Sequence, residues 1–364
     1  MITQKKIAEH LKMSRSTVAN ILGGEKTSKY SNDTRRLVLK AVEDFGYRAN
    51  RISRSVRTGR SNLIGVVHFN QAYEVARNMV GDISQAIDKK GYGILTEDLT
   101  WQGKSPMRAV EQLVEARVEG VVIVTTTTAF DSKPASLLTR AGIPAITLFG
   151  NEQLGFPSIY EDHRSAMRMM TEYVISCGHR HITLLISNYD FRPNLRNMEG
   201  FKDALSAAGG RLSRSQFKSS DRKTQAGKQK PVGYITRVEQ GIDMQDIGQS
   251  PRTYMRELIK SNTLPDAIIC ASDQWALAVI GVALSAGLRV PEDLAVTGID
   301  NETFASYPPY ELTTMQKPIA EGCAKAADMI VEMIERKTSP KKDVMLPCKL
   351  VIRRSCGSPA IPRN

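Results

Sequence analysis

Residues 266–300 read DAIICASDQWALAVIGVALSAGLRVPEDLAVTGID. The stretch opens on a short apolar run, DAIICAS (266–272), and closes on another, LAVTGID (294–300), with a helix expected over 274–287 between them. Such runs, bounded by Gly, Pro and polar residues, suit parallel strands buried on both faces of a doubly wound sheet. The same alternation extends upstream. LIGVVHF (63–69) precedes a helix near 74–90, and YGILTE (92–97) precedes one near 105–118. GVVIVT (120–125), PAITLF (144–149) and HITLLI (181–186) continue the series. Three hundred residues exceed what one such sheet needs, so two similar lobes are expected. Ligands of open parallel sheets sit beyond the carboxyl ends of the strands, and two facing lobes would enclose a cleft there.

Ahead of this α/β body lies a different kind of sequence. Residues 1–46 read as three short helices. Thr3 can cap the first, with Ile7, Ala8 and Leu11 along one side. Ser14 can cap the second, SRSTVANILGG, with Val18, Ile21 and Leu22 facing inward. Ser31, Asn32 or Asp33 can cap the third, whose Leu37/Ala41/Phe45 and Val38/Val42 sets recur at i,i+4 before Gly46 stops it. Only LKMS joins the first two helices, which forces the sharp crossing of a helix-turn-helix. The second helix then projects Arg15, Ser16 and, one turn on, Asn20, side chains able to read base edges. Ser14, Thr17, Ser31 and Thr34 sit near helix starts, where hydroxyls and backbone N–H groups suit phosphate oxygens. Each hydroxyl alone also reads as an ordinary cap; the set is what points to DNA.

Charge agrees. The 364 residues carry a net charge of +12, of which residues 1–60 contribute +9 and residues 211–230 contribute +6. The remainder is weakly acidic, so a basic head sits on an acidic body and implies a polyanion partner. Residues 211–230 are low in apolar side chains and read as a surface loop. Between head and body, YRANRISRSVRTGRSN (47–62) has an arginine every third residue at 48, 51, 54, 57 and 60, a spacing that spirals around a helix and forms no single stripe. Ile52 and Val56, four apart, do share a face. No apolar run reaches a membrane span and the first residues lack the core of a signal peptide, so a soluble, cytoplasmic protein is expected. Five scattered cysteines, never C-x-x-C, read as structural thiols.

TQKKIAEHLKMSRSTVANILGG, followed by SNDTRRLVLKAVEDFGYRANRISRSVRTGRSNLIGVV, resembles the head of the lactose/galactose repressor (LacI/GalR) family in spacing and residue type through about sixty positions. It departs at Lys6, where the family has Asp; at Lys12, where it favours Gly in the turn; at Asn20, where Arg is common; at Ala49 for Pro; and at Val56 for Leu. Body segments such as DHRSAMRMMTEYVISCGHRHI and LTTMQKPIAEGCAKAADMI are similar to the family's as well. The resemblance implies an α/β protein with a small all-α helix-turn-helix head (1–47), a hinge helix and linker (48–62) and a two-lobed, periplasmic-binding-protein-like (type I) effector and dimerisation domain (63–364). The lobes are expected to divide as 63–161 with 293–318, and 162–292 with 319–340, crossing near 162, near 292 and once later.

The resemblance also implies roles. The hinge would meet the minor groove through Val56 and Ile52, flanked by Arg51, Arg54 and Arg57 at phosphates. Asp273 matches an effector-contacting Asp and also reads as a helix cap. Asn197 stands where the family has an effector-contacting Arg, with Arg196 one place earlier and rotated by about 100°. Phe149 replaces a common polar ligand, and Tyr73, Asn70 and Thr125 are further strand-end candidates. The partners implied are a pseudo-palindromic DNA operator, a small-molecule effector (a sugar or sugar derivative by default) and a second copy of the chain. The chain's end lacks apolar heptads, which favours a dimer over a tetramer.

Enzyme readings find little support. The sequence has no G-x-G-x-x-G after a strand, no G-x-x-x-x-G-K-[ST] and no G-x-S-x-G. The GHRH pair at 178–181 lacks further metal ligands nearby, and neither cofactor nor metal is expected. The alternative kept beside the regulator is a small-molecule binder or enzyme of α/β fold without a DNA role.

Overall fold

The computed structural model describes residues 2–23, 29–47, 59–68, 74–99, 105–124, 130, 132–149, 154–188, 192–213, 230–238, 248–336 and 343–357. It divides into Met1–Asn62 and Leu63–Asn364.

The first unit holds α1 (Gln4–His10), α2 (Arg15–Gly23) and α3 (Asn32–Asp44). Each starts at the hydroxyl the sequence offers. Thr3 Oγ1 accepts from Lys6 N at 3.4 Å, Ser14 Oγ from Thr17 N at 3.0 Å and Ser31 Oγ from Thr34 N at 3.2 Å. Ile7, Ala8, Val18, Ile21, Val38 and Ala41 are buried in its core. Leu37 departs from expectation, being 51% exposed. The inward stripe of α3 runs through Val38, Ala41, Val42 and Phe45, and the 100° step from Val38 carries Leu37 outward.

The second unit is two sheets. The first contains β1 (Leu63–His68), β2 (Gly93–Asp98), β3 (Gly120–Val124), β4 (Ala145–Leu148), β5 (Ser158–Glu161) and β12 (Val344–Leu346), in the order β12-β5-β4-β3-β1-β2 with every pair parallel. Its strands alternate faces. Ile64, Val66, Val122 and Val124 join one core with α4 (Glu74–Asp88) and α11 (Ile319–Arg336). Val67, Val121 and Ile123 join the other with α5 (Pro106–Glu115) and α6 (Ser132–Arg140).

The second sheet contains β6 (His181–Ser187), β7 (Arg211–Leu212), β8 (Val232–Val238), β9 (Ala267–Cys270), β10 (Ala295–Asp300), β11 (Thr313–Gln316) and β13 (Lys349–Val351), in the order β13-β11-β10-β9-β6-β8-β7. Only the β11–β13 pair is antiparallel. Helices α7 (His163–Ser176) and α8 (Arg192–Ala207) cover one face, and α9 (Gln249–Lys260) and α10 (Asp273–Ser285) the other. Of the basic stretch 211–230, Arg211-Leu212 pairs as an edge strand, while 214–229 lie outside the described residues.

The expected division of the return segments is reversed. Residues 293–318 belong to the second lobe, because β10 pairs with β9 (Ala295↔Ala267) and β11 with β10. Residues 319–336 belong to the first, because the apolar stripe Cys323, Ala326, Ala327, Ile330 and Met333 of α11 completes that lobe's core. The chain therefore crosses between lobes after Glu161, after Gln316 and after Leu346, and makes no crossing near 292.

Candidate functional site

In the head, Arg15 and Ser16 stand exposed on the first turn of α2. Ser14 Oγ lies 2.8 Å from Ser16 Oγ and 2.9 Å from Thr17 Oγ1, and Ser31 Oγ lies 2.9 Å from Thr34 Oγ1. The four hydroxyls thus form two groups, each at a helix start. Asn20 is half-buried, its amide donating to Tyr30 Oη at 3.1 Å, so it is less free to reach a base than Arg15. Lys12 holds φ 51, the left-handed turn that would favour glycine. The hinge residues Arg51, Ile52, Arg54, Val56 and Arg57 lie outside the described residues, as do Asn70, Tyr73 and Thr125.

In the body, a cavity of about 320 Å³ opens between the lobes. Phe149, Tyr160 and Met345 line it from the first lobe, and Arg164, Arg192 and Arg196 from α7 and α8. The guanidinium of Arg192 sits 5.4 Å from the Tyr160 ring centroid, within cation–π range. Burial and the like charge of Arg196 together hold the Arg192 pKa below its ordinary value. Arg196 also pairs with Glu199 at 2.7 Å. Phe149 is 4% exposed at φ 54, and a side chain at Gly322 would run into its ring.

The structure places the expected effector residues differently from one another, and one reading, the helix cap at Asp273, is corrected. Arg196 lines the cavity, whereas Asn197 is buried at 4% exposure with its Oδ1 unpartnered. The one-residue rotation along α8 turns Arg196 toward the cavity. Asp273 does not line the cavity, and it is fully buried. Nor is it the cap of α10, which is Ser272, whose Oγ accepts from Trp275 N at 3.3 Å. Its carboxylate instead ties strand ends together, accepting from Thr314 Oγ1 at 2.5 Å and from Glu302 N at 2.8 Å. Burial, with Asp300 nearby, pushes its pKa up to about 7.

The loop that Asp273 fixes carries a contact between lobes. Thr303, in the 3-10 turn Thr303–Ser306, donates its backbone N–H (3.2 Å) and its hydroxyl to the carboxylate of Glu74, the first residue of α4. Glu302 is 4% exposed beside it, and Gln274 Nε2 donates to it at 3.4 Å. Burial raises its pKa to about 7, with Asp300 and Glu74 adding to the shift. The chain crossings hold a second charged group: Lys317 Nζ contacts Asp300 Oδ1 at 2.7 Å, and Glu161 Oε2 lies 3.5 Å from His163 Nε2. Asp300 and the nearby Glu161 both hold Lys317 in its charged form, above its usual pKa.

Arg192, Tyr160, Glu74 and Thr303 were not singled out from the sequence. Arg192 carried a signal, since RPNLR sets it one helical turn from Arg196. Glu74 and Thr303 are separated by 229 residues and carried none. The GHRH histidines are structural: His179 Nε2 lies 3.0 Å from Cys356 O, and His181 Nδ1 lies 3.2 Å from Tyr234 Oη. Among the described residues no group of His, Cys, Asp and Glu could hold a metal ion, and no helix is long and apolar enough to cross a membrane.

Comparisons with known proteins bear on both units. The family profile for the periplasmic binding protein-like domain matches residues 171–356, and that for periplasmic binding proteins and the sugar-binding domain of the LacI family matches 76–229. An uncharacterized HTH-type transcriptional regulator in the aml 5′ region of Streptomyces limosus is 28% identical over 357 residues, covering 96% of this chain and 93% of that protein. Among solved structures, the lac repressor dimer bound to operator and the anti-inducer ONPF superposes with a TM-score of 0.77 at 22% identity, over 98% of this chain and 99% of that one. A complex of the transcriptional regulator CelR with cellobiose superposes with a TM-score of 0.66 at 24% identity, over 98% of this chain and 100% of that one. A helix-turn-helix head joined to two sheets that the chain crosses three times, matched over nearly its whole length, places this chain in the LacI/GalR family of transcriptional regulators.

Proposed function

We infer that the chain is a sequence-specific DNA-binding transcription regulator, a repressor in the family's commoner mode, whose operator affinity is set by a small molecule held between the two lobes. The observation that carries this reading is the pairing, on one chain, of a basic helix-turn-helix that exposes Arg15 and Ser16 with a two-lobed body enclosing a cavity of ligand size. Arg15 and Ser16 are the proposed base readers, with Asn20 secondary because Tyr30 engages it. Ser14, Thr17, Ser31 and Thr34 are the proposed phosphate contacts. The relatives' operator and cellobiose complexes support a homodimer on a pseudo-palindromic site with a sugar-like effector, and such a protein acts in the cytoplasm. The proposed domain division is 1–47, 48–62 and 63–364.

For the effector, the proposed contacts are Arg192, Arg196, Tyr160 and Phe149. Two guanidiniums and two aromatic rings suit a polyhydroxyl ligand that stacks one face on a ring and accepts hydrogen bonds at its edge. Asn197 is a candidate through its unpartnered Oδ1. Asp273 is proposed to act on the loop 302–303 and not on the ligand.

An operator selected from random duplexes tests the head. Affinity should fall steeply with salt, log K dropping by about 0.9 per phosphate neutralised per unit of log salt. Arg15→Ala should cost roughly 1–3 kcal/mol and relax one base position per half-site. An equal loss on every sequence would make Arg15 a phosphate contact, and a flat salt profile would return the chain to the plain small-molecule binder. A thermal-shift screen of sugars, sugar phosphates, nucleosides and amino acids tests the cavity, where Arg192→Ala should abolish the shift of any hit.

A further inference from the structure

Five thiols are scattered through the sequence, and the fold brings two of them together. Cys177 is the half-buried C-cap of α7, and Cys356 is fully buried in the 3-10 turn Arg354–Cys356. The Cys177 side chain packs against the cluster that contains Cys356. The end of α7 grips this turn at three further points: Cys177 Sγ reaches Gly357 O at 3.8 Å, Tyr173 Oη donates to Gly357 O at 3.0 Å, and His179 Nε2 lies 3.0 Å from Cys356 O. On its other side the turn is anchored in the sheet, Ser355 Oγ donating to Val296 O at 2.6 Å and accepting from Thr313 N at 2.9 Å. The helix end and the turn that carry the two cysteines are therefore held together by structure that does not depend on a bond between the sulfurs.

We propose that Cys177 and Cys356 form a peroxide-reactive dithiol that closes to a disulfide, a modification site in the second lobe. The chemistry balances with hydrogen peroxide as oxidant. The Cys177 thiolate attacks one peroxide oxygen, the O–O bond breaks, an S–O bond forms, and the departing hydroxide takes up the thiol's proton as water. The resulting sulfenic acid, two electrons oxidised, is attacked by Cys356 Sγ. The S–S bond forms, the S–O bond breaks, and hydroxide leaves with the Cys356 proton as a second water. Two thiols and one peroxide thus give one disulfide and two waters.

The roles of the two sulfurs follow from where they sit. Cys177 is the more accessible, and its neighbours Cys356, Tyr173 and Ser176 pull its pKa down to about 7 against the opposing effect of burial, so thiolate is present at neutral pH. Cys356 neighbours Cys177 and is buried, which raises its pKa. It is the resolving partner. The other three cysteines are buried, with Cys323 and Cys348 pushed up to about 12 and Cys270 also raised, so they make poor nucleophiles. Because the first residues of α7, His163 to Ser165, line the interlobe cavity, the disulfide would fix the far end of a helix whose near end meets the ligand.

The full-length reduced protein is treated at pH 7 with a small excess of hydrogen peroxide, quenched with iodoacetamide and peptide-mapped by mass spectrometry. One intramolecular link between the Cys177 and Cys356 peptides is expected. Dithiothreitol should reverse it, C270S should retain it, and C177S and C356S should lack it. The oxidised wild type should melt higher than the reduced form by on the order of 5 °C, since the bond closes a long loop. C177S changes a half-exposed position and keeps the test readable if C356S fails to fold. Sulfinic acid on Cys177 without linkage, a link between two chains, or five thiols alkylated as readily after peroxide as before would each overturn the proposal.

Discussion

Single residues carry conformations that their side-chain types do not favour. Lys12 at φ 51 places a residue with a β-carbon in a left-handed turn, at roughly 1 kcal/mol for a residue other than glycine. Lys12→Gly should slow amide exchange in α1 and α2 by up to about fivefold in the full chain, and unchanged exchange would show the turn to be unstrained. Buried carboxylates make a second residue-scale case. Asp273 and Glu302 are each raised to about 7, against an unfolded value near 4. Between those values the folded body retains protons that the unfolded chain has released. Their contribution to stability is therefore full below about pH 4 and lost as pH rises through about 7. Urea denaturation from pH 4 to 8 should show this fall, and Glu302→Gln should flatten it and raise the midpoint at pH 8. The sequence made Asp273 visible but not its task. Its partners Glu302 and Thr314 lie 29 and 41 residues further on, at distances where no local pattern reaches.

Elements were legible in proportion to how completely they are buried. Strands β1, β3, β6 and β10, apolar on both faces, stand out as continuous runs. Strands β5, β12 and β13 span only three or four residues and carry half-exposed or charged positions, and β8 mixes polar with apolar residues, so none shows a run. The DNA-facing head was legible because its caps and short turn are local chemistry. The cavity was not, because it needs α7, α8 and two strands of the other sheet at once. Where α7 and α8 pack, a Cβ added to Gly200 would collide with the backbone oxygen of Arg164. Gly200→Ala must push the helices apart and should lower stability by about 1–3 kcal/mol. The denaturation midpoint checks this, and an unchanged midpoint would mean that the pair slides freely. Since both helices begin at the cavity, the same variant should weaken any thermal-shift ligand.

At the scale of the molecule, the two lobes of the body are joined by three crossings and by the contact of Glu74 with Thr303. Glu74→Ala removes an acceptor that serves both donors of Thr303, and for a partly exposed carboxylate the loss is about 1 kcal/mol. The contact should open roughly fivefold more often, seen as faster amide exchange at Val75 and Thr303; equal exchange in the variant would show that the contact holds nothing. Lys317→Met strands Asp300 without its cation in a buried crossing and should cost roughly 3–5 kcal/mol. The division of the return segments could not be settled from the sequence, because 293–318 and 319–336 are both apolar enough to serve either sheet. That division has a consequence for how the protein is made. A ribosome delivers β1 to β5 early, but the helix that covers one face of their sheet, 319–336, and the strand that completes its edge, 344–346, emerge only after nearly all of the second lobe. The nascent first lobe therefore waits with Ile64, Val122 and Ile146 partly uncovered. The two lobes cannot mature one after the other: 344–346 completes the first sheet and 349–351 the second, so one short stretch of chain finishes both.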